Sequence, residues 1–270
     1  MSGTQNIADY YNLHSSEEDT RLSPFSLEYL MTMRLIELYG RDAKTVCDLG
    51  GGTGVYAIPL AKTGKKVLLL DISKKEIEIA EQKARWEGVQ LKTHHCDCFS
   101  DAIVNNCTYD LVLCLGPLYH CRNIQDVEMA LDKVASIMKD DVGTAIIAFL
   151  SKYSKFNDVS RKKTLQDNDL TCLCDYYESL MHNDTVFSFQ KRSGGIPVSF
   201  VEPSLIKAFF VEKGFAVLDV VASDVFGSIE SGISLSVTNR FLNVAHELGR
   251  TIKLNDGNHV LMVVKKSINK

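Results

Sequence analysis

Two hydrophobic periods alternate along this chain, and each change of period marks an element. Thr45-Val46-Cys47 and Lys66-Val67-Leu68-Leu69-Leu70 are short apolar runs of the kind that form strands covered on both faces. Between them, Val55 to Ala61 has helical spacing, as do Leu27, Leu30, Met31, Leu35, Leu38 and Tyr39, which predict a helix over residues 24–39. Ser73-Lys74-Lys75-Glu76 reads as a capping box, with Ser73 as N-cap and Glu76 reciprocating, ahead of a helix from Glu76 to Trp86 that Gly88 closes. Tyr109 to Gly116 covers a fourth-strand pattern and its exit. Next come a helix from Gln125 to Met138 with Asn123 as N-cap, and a strand from Ala145 to Leu150. Strands that alternate with helices predict an α/β fold on a parallel sheet.

The pattern loosens after that. Residues 151–200 are charged and aromatic, with few clean periodicities, and read as an inserted lid. A helix starts at Glu202-Pro203-Ser204, with proline near its first turn, and ends at Gly214. Val217 to Ala222 and His259 to Val264 are strand-like, and the mixed stretch 229–250 between them reads as a helix near the substrate. Pro59 sits inside the helix that follows the first strand, so that helix either bends there or begins later than its apolar spacing suggests.

The chemistry concentrates in Asp48-Leu49-Gly50-Gly51-Gly52-Thr53-Gly54, where a buried strand hands over to a helix. Glycine permits positive φ here and lets the backbone approach a ligand. A dinucleotide fingerprint beginning at Gly50 needs a small residue at position 55 and meets Val55. A P-loop fails as well, because Gly64-Lys65-Lys66 has no Ser or Thr after its lysine, and Pro59 stands where the leading glycine belongs. Asp48 would repel a pyrophosphate and suits a ligand bearing an ammonium group, as S-adenosylmethionine does. Asp71, about twenty residues past the glycines, ends the second strand where an acidic side chain reaches ribose hydroxyls.

On these motifs the chain resembles the class I S-adenosylmethionine-dependent methyltransferases over roughly residues 42–150. The resemblance implies a doubly wound, seven-stranded, mostly parallel Rossmann-like sheet whose seventh strand runs antiparallel. An N-terminal helical cap over residues 1–40 and the lid at about 151–200 complete the expected organisation. It further implies that Asp48, Gly50, Gly52 and Gly54 hold the methionine part of the cofactor and that Asp71 takes the ribose. Ile72 would pack on the adenine, and Asp97, with Cys98 beside it, would meet the adenine amino group. Leu115, at the exit of strand four, would also border the cofactor, and Tyr11 and Arg21 belong to an N-terminal segment that closes over it. A second reading of Tyr10 and Tyr11 is that they only pack the segment onto the domain.

A sulfonium methyl is already activated, so in-line attack needs alignment and exclusion of water, and only the acceptor calls for a base. Gly116-Pro117-Leu118-Tyr119-His120 follows strand four, where amino-methylating enzymes of DNA and protein carry Asp or Asn before Pro-Pro-aromatic. Gly116 leaves that clamp incomplete, which argues against a nucleic-acid base as acceptor. His120 and Tyr119 are the candidate catalytic residues. The competing role for His120 is capping the next helix or orienting the cofactor.

Composition narrows the picture only slightly. With 270 residues, 45% of them hydrophobic, the chain is long enough for one large α/β core with an accessory element. A net charge of -4 gives no bulk attraction to nucleic acid or to an anionic membrane, and no apolar run approaches the length of a membrane span. A cytoplasmic protein is expected. Cys96-x-Cys98 and Cys172-x-Cys174, with His94 and His95, lack zinc spacing, so reduced thiols and no metal are expected. The expected function is methyl transfer to nitrogen or oxygen of a small-molecule acceptor, yielding S-adenosylhomocysteine. Two alternatives remain: an RNA or protein methyltransferase docking through Lys152, Lys155 and Arg161-Lys162-Lys163, or a cofactor-binding relative that transfers no methyl group.

Overall fold

The computed structural model describes residues 2–21, 26–99, 107–152, 154, 166–167, 170–171, 174, 186–190, 196–223, 235–251 and 259–266. Five parallel strands form its centre: β1 (Thr45–Leu49), β2 (Lys66–Asp71), β3 (Lys92–His95), β4 (Leu111–Cys114) and β5 (Thr144–Ser151), in the order β3-β2-β1-β4-β5. The pleat sorts their side chains between two cores. Cys47, Leu49, Val112, Cys114, Ala145, Ile147 and Phe149 face one side, where they meet Val127, Leu131 and Val134 of α5 (Ile124–Ser136) and Ile206 and Phe210 of α6 (Pro203–Glu212). Val46, Leu111, Leu113, Ile146 and Ala148 face the other. There they meet α2 (Leu27–Gly40), α3 (Ala57–Lys62), α4 (Lys74–Trp86) and α7 (Leu235–Thr251), through Met31, Leu60, Ile77 and Leu242 among others. Helices thus cover both faces, which is why the strands read as continuous apolar runs.

The reversal comes at the far edge. β9 (His259–Lys266) lies antiparallel to β5 along Thr144 to Leu150, and β8 (Phe215–Ala222) pairs antiparallel with β9. These are the expected sixth and seventh strands. Beyond the expected seven, β6 (Val186–Gln190) and β7 (Pro197–Val201) bring the described sheet to nine strands. They form an antiparallel hairpin, and β7 runs parallel to the last two residues of β5, pairing Leu150 with Phe200 and Ser151 with Val201. Since Leu150 already faces His259 on its other side, the hairpin lies on the β4 side, past the point where β4 ends. Part of the expected lid is therefore sheet, formed because β5 outruns β4 and leaves backbone groups to be paired. Most of residues 151–185, including Tyr176-Tyr177, lies outside the described residues.

One smaller correction concerns a helix. The helix after the glycine loop begins at Ala57, two residues later than its apolar spacing suggests, so Pro59 falls in the first turn, where no intrahelical N–H bond is lost. The N-terminal segment is helical as expected, and forms α1 (Ser2–Arg21), which has no apolar stripe. No helix among the described residues is long and apolar enough to cross a membrane.

Within the mixed stretch before β9, residues 235–251 form α7, and its second half is tied down by a buried polar network over β8. His246 Nε2 lies 2.8 Å from Asp219 Oδ2, Arg250 Nε donates to Asp219 Oδ1 at 2.8 Å, and Tyr39 Oη donates to Oδ2 at 2.8 Å. Arg34 Nε donates to His246 Nδ1 at 3.1 Å, joining α2, β8 and α7. Burial by itself would raise the Asp219 carboxyl, but the bonds from His246, Arg250 and Tyr39 hold it well below the usual carboxylate range. Its folded state therefore favours the ionised form, and the stability it contributes is present above about pH 4 and falls as acid protonates it. Replacing Asp219 by Ala is expected to cost about 3–5 kcal/mol in urea unfolding at pH 7, since the Arg250 guanidinium and the His246 and Tyr39 donors lose their acceptor. Loss under 1 kcal/mol would show that the network contributes little.

Candidate active site

The carboxyl ends of β1, β2, β3 and β4 meet at one place, where open α/β sheets bind ligands. After β1 the chain turns through Gly50 (φ 66°), Gly52 (φ 55°) and Gly54 (φ 82°). Gly50 needs to be glycine for a second reason: a Cβ there would overlap the ring of Pro117. Gly51, which the motif spacing did not single out, has an ordinary φ, yet its Cβ would lie 2.7 Å from Asp48 Oδ2 and from Leu69 Cγ. Only the run of three glycines hinted at it. The N–H groups of Gly50 and Gly51 both donate to the Leu70 carbonyl, at 2.8 and 3.1 Å, and lock the loop against β2.

Two carboxylates stand beside this loop. Asp48 is 1% exposed, and its Oδ2 has no hydrogen-bond partner among the described residues. Burial, reinforced by the neighbouring charge of Asp71, pushes its pKa up to about 7. Asp71 accepts from Gly52 N–H at 2.9 Å on Oδ2 and from Ser73 N–H at 2.8 Å on Oδ1. Burial still raises it, partly offset by these N–H donors. The capping box is thereby corrected. Ser73 Oγ accepts from Glu76 N–H at 3.2 Å as expected, but the Ser73 N–H goes to Asp71, which is nearer along the chain, and the buried Glu76 carboxylate turns toward Gly52.

The remaining predicted cofactor residues follow the strand ends. Ile72 is half-buried after β2, with its carbonyl 2.9 Å from His95 Nε2. Asp97, half-buried after β3, accepts from Phe99 N–H at 3.1 Å, and Cys98 beside it is buried with its thiol pushed well up by desolvation. Leu115 is half-buried at the exit of β4. Cys47, Cys114 and Cys121 are likewise buried thiols raised by desolvation, so these cysteines act as small apolar core residues. Cys172 lies outside the described residues.

Past β4, Pro117–His120 form a 3-10 turn that sends its last two side chains apart. Tyr119 is buried, its ring edge-on to His259 with centroids 5.8 Å apart, and it packs with the α2 side of the core. His120 is only partly buried, and its Nε2 lies 2.7 Å from Tyr11 Oη on α1. The structure so brings together two residues predicted for different tasks. Tyr10 stands edge-on to Tyr11, with 5.4 Å between ring centroids, and stacks on His14. Asn12, next to Tyr11, was missed. Its Oδ1 accepts from Ser73 Oγ at 2.8 Å and from Lys75 N–H at 3.2 Å, and a lone asparagine in a polar helix carries no signal of that. Arg21 ends α1, and its side chain lies outside the described residues. Of the cations considered for macromolecular docking, Lys152 pairs with Glu202 at 2.6 Å, while Lys155 and residues 161–163 lie outside the described residues.

This geometry agrees with the comparisons to known proteins. Residues 46–141 match the family model described as a methyltransferase domain. The chain is 30% identical over 136 residues to a ubiquinone biosynthesis O-methyltransferase of Rickettsia felis, which is 50% of this chain and 53% of that protein. It is 42% identical over 106 residues to the chloroplastic magnesium protoporphyrin IX methyltransferase of Arabidopsis thaliana, covering 38% and 33% of the two chains. The chain thus spans about half the length of the first of these curated relatives and less of the second. Among solved structures, it superposes on a Burkholderia thailandensis 1,6-didemethyltoxoflavin-N1-methyltransferase with TM-score 0.60 and 12% identity, over 98% of this chain and 88% of that one. The magnesium protoporphyrin IX methyltransferase of Synechocystis gives TM-score 0.59 and 18% identity, over 97% and 99%. At such identities the likeness is one of fold. Residues 46–141 thus match a methyltransferase domain, and the fold is shared with solved S-adenosylmethionine-dependent methyltransferases.

The raised Asp48 carboxyl has a consequence for stability. Its folded form favours the proton, so its contribution is full below about pH 4 and is lost as pH rises through about 7. Asp48→Asn is expected to unfold later than the parent at pH 8, by on the order of 3 kcal/mol, and to match it near pH 4. Equal denaturant midpoints at both pH values would show that Asp48 is not a strained acid.

Proposed function

We propose that this chain is an S-adenosylmethionine-dependent methyltransferase that acts on a nitrogen or oxygen of a small-molecule acceptor. The observation that carries the reading is Asp48: a fully buried carboxylate with an unpartnered oxygen beside a glycine turn fits a cationic ligand and opposes a phosphate. When bound, S-adenosylmethionine supplies an activated methyl group and departs as neutral S-adenosylhomocysteine. In this reading the ammonium of the methionine moiety pairs with Asp48, and the turn at Gly50, Gly52 and Gly54 admits the backbone of the same moiety. Asp71 keeps lone pairs beyond its two N–H bonds for the ribose hydroxyls, and Ile72, Asp97 and Cys98 border the adenine.

On the acceptor side, His120 is the residue proposed to take a proton from a hydroxyl or ammonium as the methyl group arrives, with Tyr11 fixing its ring. Tyr119, directed into the core, supports the turn rather than the reaction. Helix α1 forms the cap over the cleft, and the β6–β7 hairpin beyond β4 forms part of the acceptor wall. Alignment and exclusion of water supply the rest of the rate enhancement. The O- and N-methyltransferases among its relatives support a small acceptor.

Incubation with labelled S-adenosylmethionine and fractionated cell extract should place label in the low-molecular-weight fraction; label confined to RNA or protein would overturn the acceptor class. Calorimetry should find Asp71→Ala binding the cofactor about 1.5–3 kcal/mol more weakly, the scale of hydrogen bonds to a charged group. An unchanged affinity removes Asp71 from the site. Because Asp48 must give up its proton to pair with an ammonium, affinity should rise about tenfold between pH 6 and pH 8 and flatten above. A flat profile in the parent contradicts the pairing.

A further inference from the structure

Helix α1 places two consecutive side chains against opposite walls of the cleft. Tyr11 Oη reaches His120 Nε2 at 2.7 Å on the turn after β4. Asn12 Oδ1 takes the Ser73 hydroxyl at 2.8 Å and the Lys75 N–H at 3.2 Å at the start of α4. Ser73 in turn gives its N–H to Asp71 Oδ1, while Asp71 Oδ2 accepts from Gly52. An unbroken chain of contacts therefore runs from the glycine loop through Asp71, Ser73 and Asn12 to Tyr11 and His120.

Among the described side chains of α1, Ala8 and Ser15 are buried and Leu13 is 79% exposed. The polar contacts at positions 11 and 12 join the helix to both walls of the cleft, so each wall bears on how it is seated. Ser73 Oγ donates to Asn12 Oδ1 and accepts from Glu76 N–H, and the Lys75 N–H, which can only donate, requires the Asn12 oxygen rather than its amide nitrogen to face α4.

We propose that Asn12 is a positioning residue: by seating α1 on the Asp71–Ser73 corner it makes the orientation of the His120 ring depend on the cofactor loop. The proposal rests on the reading of this cleft as an S-adenosylmethionine site with His120 on the acceptor side. Its consequence is an order of events. The cofactor, by settling Asp71 and Ser73, seats the helix that aligns the base, so the acceptor meets an organised His120 only after the cofactor is in place. An Asp at position 12 keeps the accepting oxygen and should preserve the joint, whereas Ala removes it.

The test uses the full chain with ¹⁵N-labelled histidine and follows the imidazole nitrogens of His120 by NMR, with S-adenosylhomocysteine as probe. In the parent, His120 should show one tautomer pattern that shifts on addition of the probe. Asn12→Ala should show an averaged pattern, close to that of Tyr11→Phe, with less than half of the probe-induced shift, and Asn12→Asp should restore the parental pattern. Calorimetry on Asn12→Ala should find affinity for the probe within about threefold of the parent, since no direct contact is removed. Asn12 is exposed, so the variant keeps the fold. If Asn12→Ala retains both the His120 pattern and its full response while the probe binds, the coupling is wrong and the cofactor reading survives. If the probe does not bind the parent at all, the cofactor reading fails and takes this proposal with it.

Discussion

Two carboxylates at the ends of adjacent strands, Asp48 on β1 and Asp71 on β2, impose the constraint around which the site is arranged. Both are buried, and the charge of Asp71 raises the cost of ionising Asp48. The fold meets that cost unevenly. Asp71 receives two backbone N–H donors and becomes part of the architecture of the loop, whereas Asp48 is left with an oxygen aimed at nothing in the described protein. Gly51 lacks a Cβ because that atom would fall on the Asp48 carboxylate, and the bonds from Gly50 and Gly51 to Leu70 hold the turn in register with β2. The loop is thus built around a partly unsatisfied charge, an arrangement that costs stability unless a cation completes it.

The parts of the molecule that were legible in the sequence are those whose physics is local. Strands β1, β2, β4 and β5 announce themselves because helices on both faces demand continuous apolar runs, and α4 and α5 because Ser73 and Asn123 cap them. The loop with its two acids was readable for the same reason, since Asp48, the glycines and Asp71 lie at fixed distances from strand ends. Where contacts come from far along the chain, the pattern gave less. Tyr11 and His120 were each singled out, but nothing in the sequence joined residues 109 positions apart. Helix α1 has no apolar stripe, and Asn12 is anonymous without the helix start it meets. The β6–β7 hairpin hid in an irregular stretch because its register is set by the overhang of β5, a length mismatch visible only when the strands are side by side.

Away from the cleft the chain spends its buried charges on cohesion. Asp219, His246, Arg250, Tyr39 and Arg34 join β8, α7 and α2. Asp219 sits at a register shift in β8, and an inward charge at a bulge discourages this edge strand from pairing with another chain. Reactive thiols are avoided in a similar way: five cysteines are packed as core residues, and desolvation keeps Cys47, Cys98, Cys114 and Cys121 protonated.

The hairpin's attachment carries a wider meaning. Among the described residues β7 joins the sheet through two residue pairs at the tip of β5, and it pairs with neither of the strands that carry Asp48 and Asp71. Such a shallow joint separates inheritance of the donor half from inheritance of the acceptor half. A lineage could exchange this appendage, lengthen it or reshape its surface and so move among acceptors, while the glycine turn and its two acids passed on unaltered.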